Sequence, residues 1–351
     1  MSHKPYKSNF YKYMKSFVRP FVYFSLICFA LVSCMSGIIV PSQKINGASL
    51  VAPPKKFDKS NLQPLVDIGT NWISIMPYAY INAESGQLTY DWGGEQWWGE
   101  TKEGVTKSIQ LAHSLKLKTM LKPHVWINWG TFTGDFKPTD GYEKLKHDLE
   151  SYLMLFASLA EEQKADLFCF GTEWKKFVQE EPAYFDSLIT HIRSVYNGKL
   201  TYAANWDNCF YIPFWDKLDY IGIDAYFPLS SLTNPRLDSL TKAWKPWKQK
   251  IYDLSTKTNK PVLFTEYGFR NINTCAHKPW ESNEDDSNNE MCQCHGYQSL
   301  FDTFWHESWF MGGFFWKYHT RIRNPKNNAF TPQNKEVWDV IKRQYLVVST
   351  Q

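Results

Sequence analysis

Two periods of apolar residues take turns along this chain. Short apolar runs of strand type recur at Ile45 to Val51, Trp72 to Met76, Leu117 to Val125, Phe168 to Trp174, Leu200 to Trp206, Asp219 to Tyr226, Val262 to Glu266 and Gly313 to Tyr318. Between them, apolar residues fall three and four apart, the period of a helix with one buried face. Ser60 can cap a helix that carries Leu62, Leu65, Val66 and Ile68 and stops at Gly69. Glu103 to Leu115 sets Val105, Ile109 and Ala112 on one face, and a long helix runs from Gly141 to about Gln163. Pro182 suits a first helical residue, and Gly198 ends that helix. Leu237 to about Thr258 is amphipathic, with a kink expected at Pro246. His295 to Trp309 and Pro332 to Tyr345 complete the set.

Eight strands alternating with helices, the strands apolar on both faces, predict an α/β fold: a single (β/α)8 TIM barrel over residues 45–348. An open doubly wound sheet would need a glycine-rich phosphate loop after its first strand, and none is present. Two of the strands end on glutamate: FCFGTEW closes on Glu173 and VLFTEYGF carries Glu266. A carboxylate at the exit of a buried strand costs several kcal/mol unless it is paired or used. Each alone reads as easily as an exposed loop residue. In barrel order, however, these are strands four and seven, and barrel chemistry gathers at the C-terminal strand ends. The two carboxylates are therefore expected to converge on one cleft.

Composition alters the picture at the amino end. The formal charge is +4, from 39 Lys and Arg against 35 Asp and Glu. Lys4, Lys7, Lys12, Lys15 and Arg19 lie in the first 34 residues, which hold no acid; without those five the balance is 34 to 35, or −1. The remaining chain thus has no electrostatic case for binding nucleic acid. The basic stretch precedes the apolar run Phe21 to Cys34, the pattern of an export signal. Its ending, Leu31-Val32-Ser33-Cys34, resembles the lipobox of bacterial lipoproteins, which implies lipidation of Cys34 and a membrane contact through that anchor. Residues 1–34 then read as signal and 35–44 as linker, with the catalytic domain displayed in the bacterial envelope on the periplasmic or outer-membrane face. An uncleaved anchor and simple secretion are the alternatives, since apolar residues continue through Ile38 to Val40. Aromatic residues make up 17% of the chain, with 16 Trp, a richness that points to surfaces stacking on flat ligands.

Two glutamates across a cleft are what glycoside hydrolysis requires: one protonates the departing oxygen, and the other attacks or activates water from the opposite side of the ring. The motifs INGASLVAP, LKPHVW, FGTEW, LTYAANWD, DYIGIDAYFP and FTEYGF carry a resemblance to glycoside hydrolase family 113, within the clan of retaining barrel glycosidases. It spans about residues 44–346. The resemblance implies a β-1,4-mannanase-like enzyme acting by double displacement on β-linked mannose-containing polysaccharide or oligosaccharide. It implies Glu173 as acid/base, Glu266 as nucleophile, Tyr226 as the nucleophile's hydrogen-bond partner and Trp316 as the aromatic floor of the reacting-sugar subsite. His124 and Trp126 fall where the third strand lines the site. Most of the clan has Asn before the acid/base; here Thr172 stands there, and Asn205 is the candidate to replace its contact with the sugar 2-hydroxyl. Tyr226, Trp316 and His124 each have an alternative reading as packing residues. The retaining assignment expects the two carboxyls about 5 to 5.5 Å apart. The chemistry needs no metal or organic cofactor, and a monomer is expected. The rival readings are the same machinery on another β-glycan, and a carbohydrate-binding lipoprotein without turnover.

Seven cysteines remain to be placed. Cys28 leaves with the signal, and Cys169 shares the inward parity of Glu173. Export favours a disulfide from Cys275 to Cys292 or Cys294, stapling the polar loop after strand seven. Zinc held by Cys275, His277, Cys292, Cys294 and His295 is the less favoured alternative. Asp224 reads as an acid that holds a neighbouring loop. Glu281 to Glu290 reads as a solvated acidic loop.

Overall fold

The computed structural model describes residues 43–90, 96–128, 131–281, 287–322 and 329–348. Cys34, the leader, Trp92, Trp129 and residues 282–286 of the acidic loop lie outside the described residues. Eight strands close into a parallel barrel: β1 (Ile45–Leu50), β2 (Trp72–Ile75), β5 (Lys118–Leu121), β7 (Leu167–Thr172), β8 (Lys199–Asn205), β9 (Ile221–Asp224), β10 (Val262–Tyr267) and β11 (Phe310–Tyr318). This is the expected (β/α)8 barrel. Ile45, Met120, Leu167, Cys169, Ala203, Leu263, Met311 and Phe314 fill its interior, so the barrel is a packed core closed beneath the rim.

The third predicted strand is in fact two. Pro77 follows β2 and Pro123 follows β5, and proline supplies no N–H to a ladder. Beyond these prolines the same two segments pair again as β3 (Tyr78–Ile81) and β6 (His124–Ile127), joined by β4 (Leu88–Thr89) in a small sheet above the barrel. His124 therefore belongs to this upper sheet, opposite Tyr78 in register, rather than to the barrel wall.

The helices are α1 (Gln63–Asp67), α2 (Lys102–Ser114), α3 (Glu143–Glu162), α4 (Lys175–Glu180), α5 (Pro182–Val195), α6 (Leu237–Thr258), α7 (Glu290–Phe304) and α8 (Val337–Val348). Ser60 does not cap α1, whose N-cap is Leu62 without a side-chain cap; instead the Asp58 carboxylate accepts from the Ser60 N–H and opens a 3-10 turn ahead of it. Helix α6 runs unbroken through Pro246 and stops at Asn259, which takes the left-handed conformation at φ 53°. Helix α7 starts five residues before the expected His295, because the Asn289 side chain caps it by accepting from the Cys292 N–H.

Much of the aromatic excess goes into the interior, contrary to the expectation of stacking surfaces. Trp174, Trp215, Trp244 and Trp305 are fully buried between barrel and helices. Trp305 packs edge-on against Tyr267, Phe301 and Phe310, and its indole N–H donates to Asn46 Oδ1 at 3.0 Å. Large rings bridge the wide gap between a parallel sheet and its helical layer. Trp97, Trp126 and Trp280 stay open to solvent.

Candidate active site

Glu173 and Glu266 stand at the C-terminal rim, at the ends of β7 and β10, with β8 and β9 between them in the barrel order. Local structure aims each of them. Register shifts interrupt the β7–β8 pairing after Cys169 and the β10–β9 pairing after Phe264, just before each glutamate. Such irregularities turn side chains out of the regular alternation. Glu173 itself sits at φ 59°, while its N–H extends the ladder to Ala203 O at 2.8 Å. The next N–H, of Trp174, donates to the buried Tyr202 hydroxyl at 2.8 Å. Gly171 is required here because the Tyr202 ring lies where a side chain would stand: a Cβ would come within 2.8 Å of it.

Glu266 is 6% exposed, and both of its oxygens accept hydrogen bonds. The Tyr226 hydroxyl donates to Oε2 at 2.8 Å. The Lys122 ammonium donates to Oε1 at 2.6 Å. Lys122 is wholly buried and also donates to Asp224 Oδ1 at 3.1 Å, while the Thr265 hydroxyl donates to the same oxygen at 2.7 Å. Register places Asp224 beside Glu266 on neighbouring strands. Asp224 thus holds a lysine beneath the site, not the neighbouring loop expected of it.

The charges in this nest determine one another. Burial pulls the Lys122 ammonium down, but Asp224 and Glu266 outweigh it and hold the pKa above the ordinary lysine value. Burial and the Glu266 charge push Asp224 up to about 7, against Lys122 and Thr265. Loss of solvation, then the charges of Asp224 and Glu266, raise Glu173 well above the usual carboxylate range. Burial and the neighbouring negative charges thus favour the protonated form of Glu173.

His124 lies above Glu266, with Nε2 3.6 Å from Oε1, too long for a hydrogen bond. Burial and the Lys122 charge hold its pKa well below the usual histidine value, so the ring is neutral. Its Nε2 is buried and has no hydrogen-bond partner among the described residues. Trp316 lies nearly parallel to the His124 ring, at 14° and 6.2 Å between centroids. Glu266, Tyr226, His124 and Trp316 are thus brought together as the sequence predicts. Two expected residues stand apart. Trp126 is 56% exposed on the upper sheet. Asn205 ends β8 on the rim, with Oδ1 turned back to accept from the Trp206 N–H at 2.9 Å. The Thr172 hydroxyl, beside Glu173, is buried and without a partner among the described residues. Trp98 is a packing residue, edge-on to Phe57.

Sequence reasoning missed Lys122. The available signal was a lysine inside the apolar strand run LKTMLKPHV, and its partners come from strands more than a hundred positions away. The disulfide is Cys275–Cys292, which settles the choice with Cys294 and removes two thiolates from the proposed zinc set. Cys294 is a buried free thiol, pushed up to about 11 by burial, and His295 Nδ1 lies 3.1 Å from Pro235 O. Cys169 is buried in the barrel core, and burial raises its thiol to about 12.

A parallel eight-stranded barrel that carries two glutamates on its C-terminal rim has the layout of a glycoside hydrolase. The sequence assigns the group: the model of Glycoside Hydrolase Family 113 matches residues 55–338, and the chain belongs to that family. Comparison with curated protein sequences gives no significant match. Among solved structures, the chain is similar to a GH113 β-mannanase, AaManA from Alicyclobacillus acidocaldarius, solved in complex with ManMIm. The TM-score is 0.77 at 20% identity, covering 87% of this chain and 98% of that one. A second GH113 β-1,4-mannanase, also solved as a complex, gives TM-score 0.75 at 21% identity, over 87% and 99% of the two chains. A β-glucuronidase from an uncultured Clostridium gives TM-score 0.61 at 15% identity and is matched over only 51% of its length. At these identities the structural likeness establishes the shared barrel.

Proposed function

We infer that this glycoside hydrolase cleaves β-linked mannose-containing glycans with retention of anomeric configuration. The observation that carries the mechanism is Glu266, fixed at the rim by donors from Tyr226 and Lys122, together with Glu173 at the end of β7, whose pKa burial and the nearby acids raise. Glu173 gives its proton to the glycosidic oxygen as that bond breaks. A Glu266 carboxylate oxygen forms the new bond to the anomeric carbon. Water then attacks the same carbon, returns one proton to Glu173 and frees Glu266. Tyr226 and Lys122 orient the nucleophile, and His124 and Trp316 line the reacting-sugar subsite. The similarity to β-mannanases supports mannan or glucomannan as substrate.

The test is reducing-sugar release from mannan, glucomannan, galactan, xylan and mixed-linkage glucan, with Glu266→Gln in parallel and the first product anomer followed by NMR. Release from mannan or glucomannan, at least a thousandfold lower in the variant and giving the β anomer first, is expected. Activity confined to another glycan would discard the substrate, and an inverted anomer would discard the mechanism. For localisation, the lipobox supports attachment to the envelope through Cys34. Metabolic labelling with a fatty acid should mark the protein and be lost in Cys34→Ala; label kept in the variant would sink that reading.

A further inference from the structure

A second concave surface opens beside the reacting-sugar subsite, and its lining is basic. The residues after β1, Val51 to Lys55, form one wall, and those at the end of β11, Lys317 to Ile322, form the other. The two walls are tied together by the Val51 N–H, which donates to Tyr318 O at 2.9 Å. Trp97 stands at the mouth, 49% exposed. Its position is fixed from behind, where the Gly99 N–H donates to Pro53 O at 2.8 Å. Only glycine fits at that contact, since a Cβ would fall 2.2 Å from Pro53 Cδ. The space enclosed is about 750 Å³, within the range of small-ligand sites.

The groove continues the cleft. Lys317 follows Trp316 across a cis peptide bond, and its ammonium lies 5.2 Å from the Trp316 ring centroid. The same ammonium feels the charge of Glu266. Lys55, Lys317 and Arg321 put three cations on the lining, and among the described residues no Asp or Glu contributes to it. His319 lies between them but is neutral, because burial and the Lys317 charge draw it down to about 4. The exposed Asp58 feels the charge of Arg321. Lys317 is largely desolvated, which lowers its pKa, and among the described residues it makes no ion pair or hydrogen bond at contact distance. The charge of Glu266 offsets that desolvation only in part, and a bound anion would offset more of it.

We propose that this groove is a subsite for a sugar bearing an anionic group, so that the enzyme prefers acid-substituted glycans over neutral ones. The sugar ring would stack on Trp97 while its acid group meets Lys55, Lys317 and Arg321. This rests on the glycosidase reading but not on mannan as the backbone.

Calorimetry on the full chain carrying Glu173→Gln, a neutral stand-in for the protonated acid, tests it at low ionic strength. The ligands are manno-oligosaccharides and gluco-oligosaccharides of equal length, each neutral or oxidised at C6 to the carboxylate. In at least one pair the carboxylated member should bind about tenfold tighter. That preference should shrink in added salt and in the double variant Lys55→Gln/Arg321→Gln. In the otherwise wild-type enzyme, that double variant should leave turnover of the neutral substrate unchanged. A preference shown only by the glucan pair would discard mannan and keep the groove. Equal affinity within both pairs, or a preference that survives the double variant, would overturn the proposal. A C6-sulfated member in each pair distinguishes a site for carboxylates from one that takes either acid.

Discussion

Lys122 is the residue through which the three acids of the site communicate. It ion-pairs with Asp224 and Glu266 and exerts a downward pull on the pKa of Glu173. Lys122→Met keeps the bulk of the side chain but leaves two buried carboxylates uncompensated, which costs about 3–5 kcal/mol of stability. It also removes one donor from Glu266, the nucleophile of the proposed mechanism, a change that typically lowers kcat about a hundredfold or more. The pH profile separates the two effects. Glu173 has its pKa raised, and in the proposed mechanism the protonated form acts, so kcat/KM should be sustained above the ordinary carboxylate range and fall as pH rises through the raised value. Without the lysine charge that value rises further, so the alkaline limb of the variant should move to higher pH. A limb that stays in place, in a variant shown by circular dichroism to be folded, would separate Lys122 from Glu173.

Among the elements, the loop between β10 and α7 leaves the barrel beside Glu266 and returns through the Cys275–Cys292 bridge, 17 residues apart. Closing a loop of that length is worth about 3 kcal/mol by chain entropy. Replacing both cysteines by serine should lower the stability measured by urea unfolding by about that much. An unchanged midpoint would mean that the loop is held by other contacts. The strands and most helices were legible because their apolar periods are local. The upper sheet of β3, β4 and β6 was not, because it arises from two prolines, on different strands, that break one ladder and let another begin. The start of α7 was missed for a similar reason: a cap depends on where the Asn289 side chain turns, and periodicity does not report that.

For the molecule as a whole, two histidines close to the cleft are held neutral by burial. His319 has its pKa drawn from 6.5 to about 4, and that of His124 also lies well below 6.5. A depressed pKa contributes stability that is fully present above the unfolded value and is lost as pH falls through the folded one. The melting temperature should therefore decline as pH drops from about 6.5 towards 4, and less steeply in His319→Gln. Identical slopes in the two proteins would remove His319 from the account.

At the same scale, the sequence by itself determined the barrel and the two strands that end on glutamate, since these follow from local pattern, while the roles of Tyr226 and Trp316 came through the family resemblance. It did not determine that Asp224 and Glu266 share one lysine, that Cys292 rather than Cys294 completes the staple, or that Trp174, Trp215, Trp244 and Trp305 are buried packing residues. Those depend on which side chains meet across strands and helices far apart in the chain, and on burial that sets their charges. Closing the barrel brought these groups together, so only the tertiary structure could decide them.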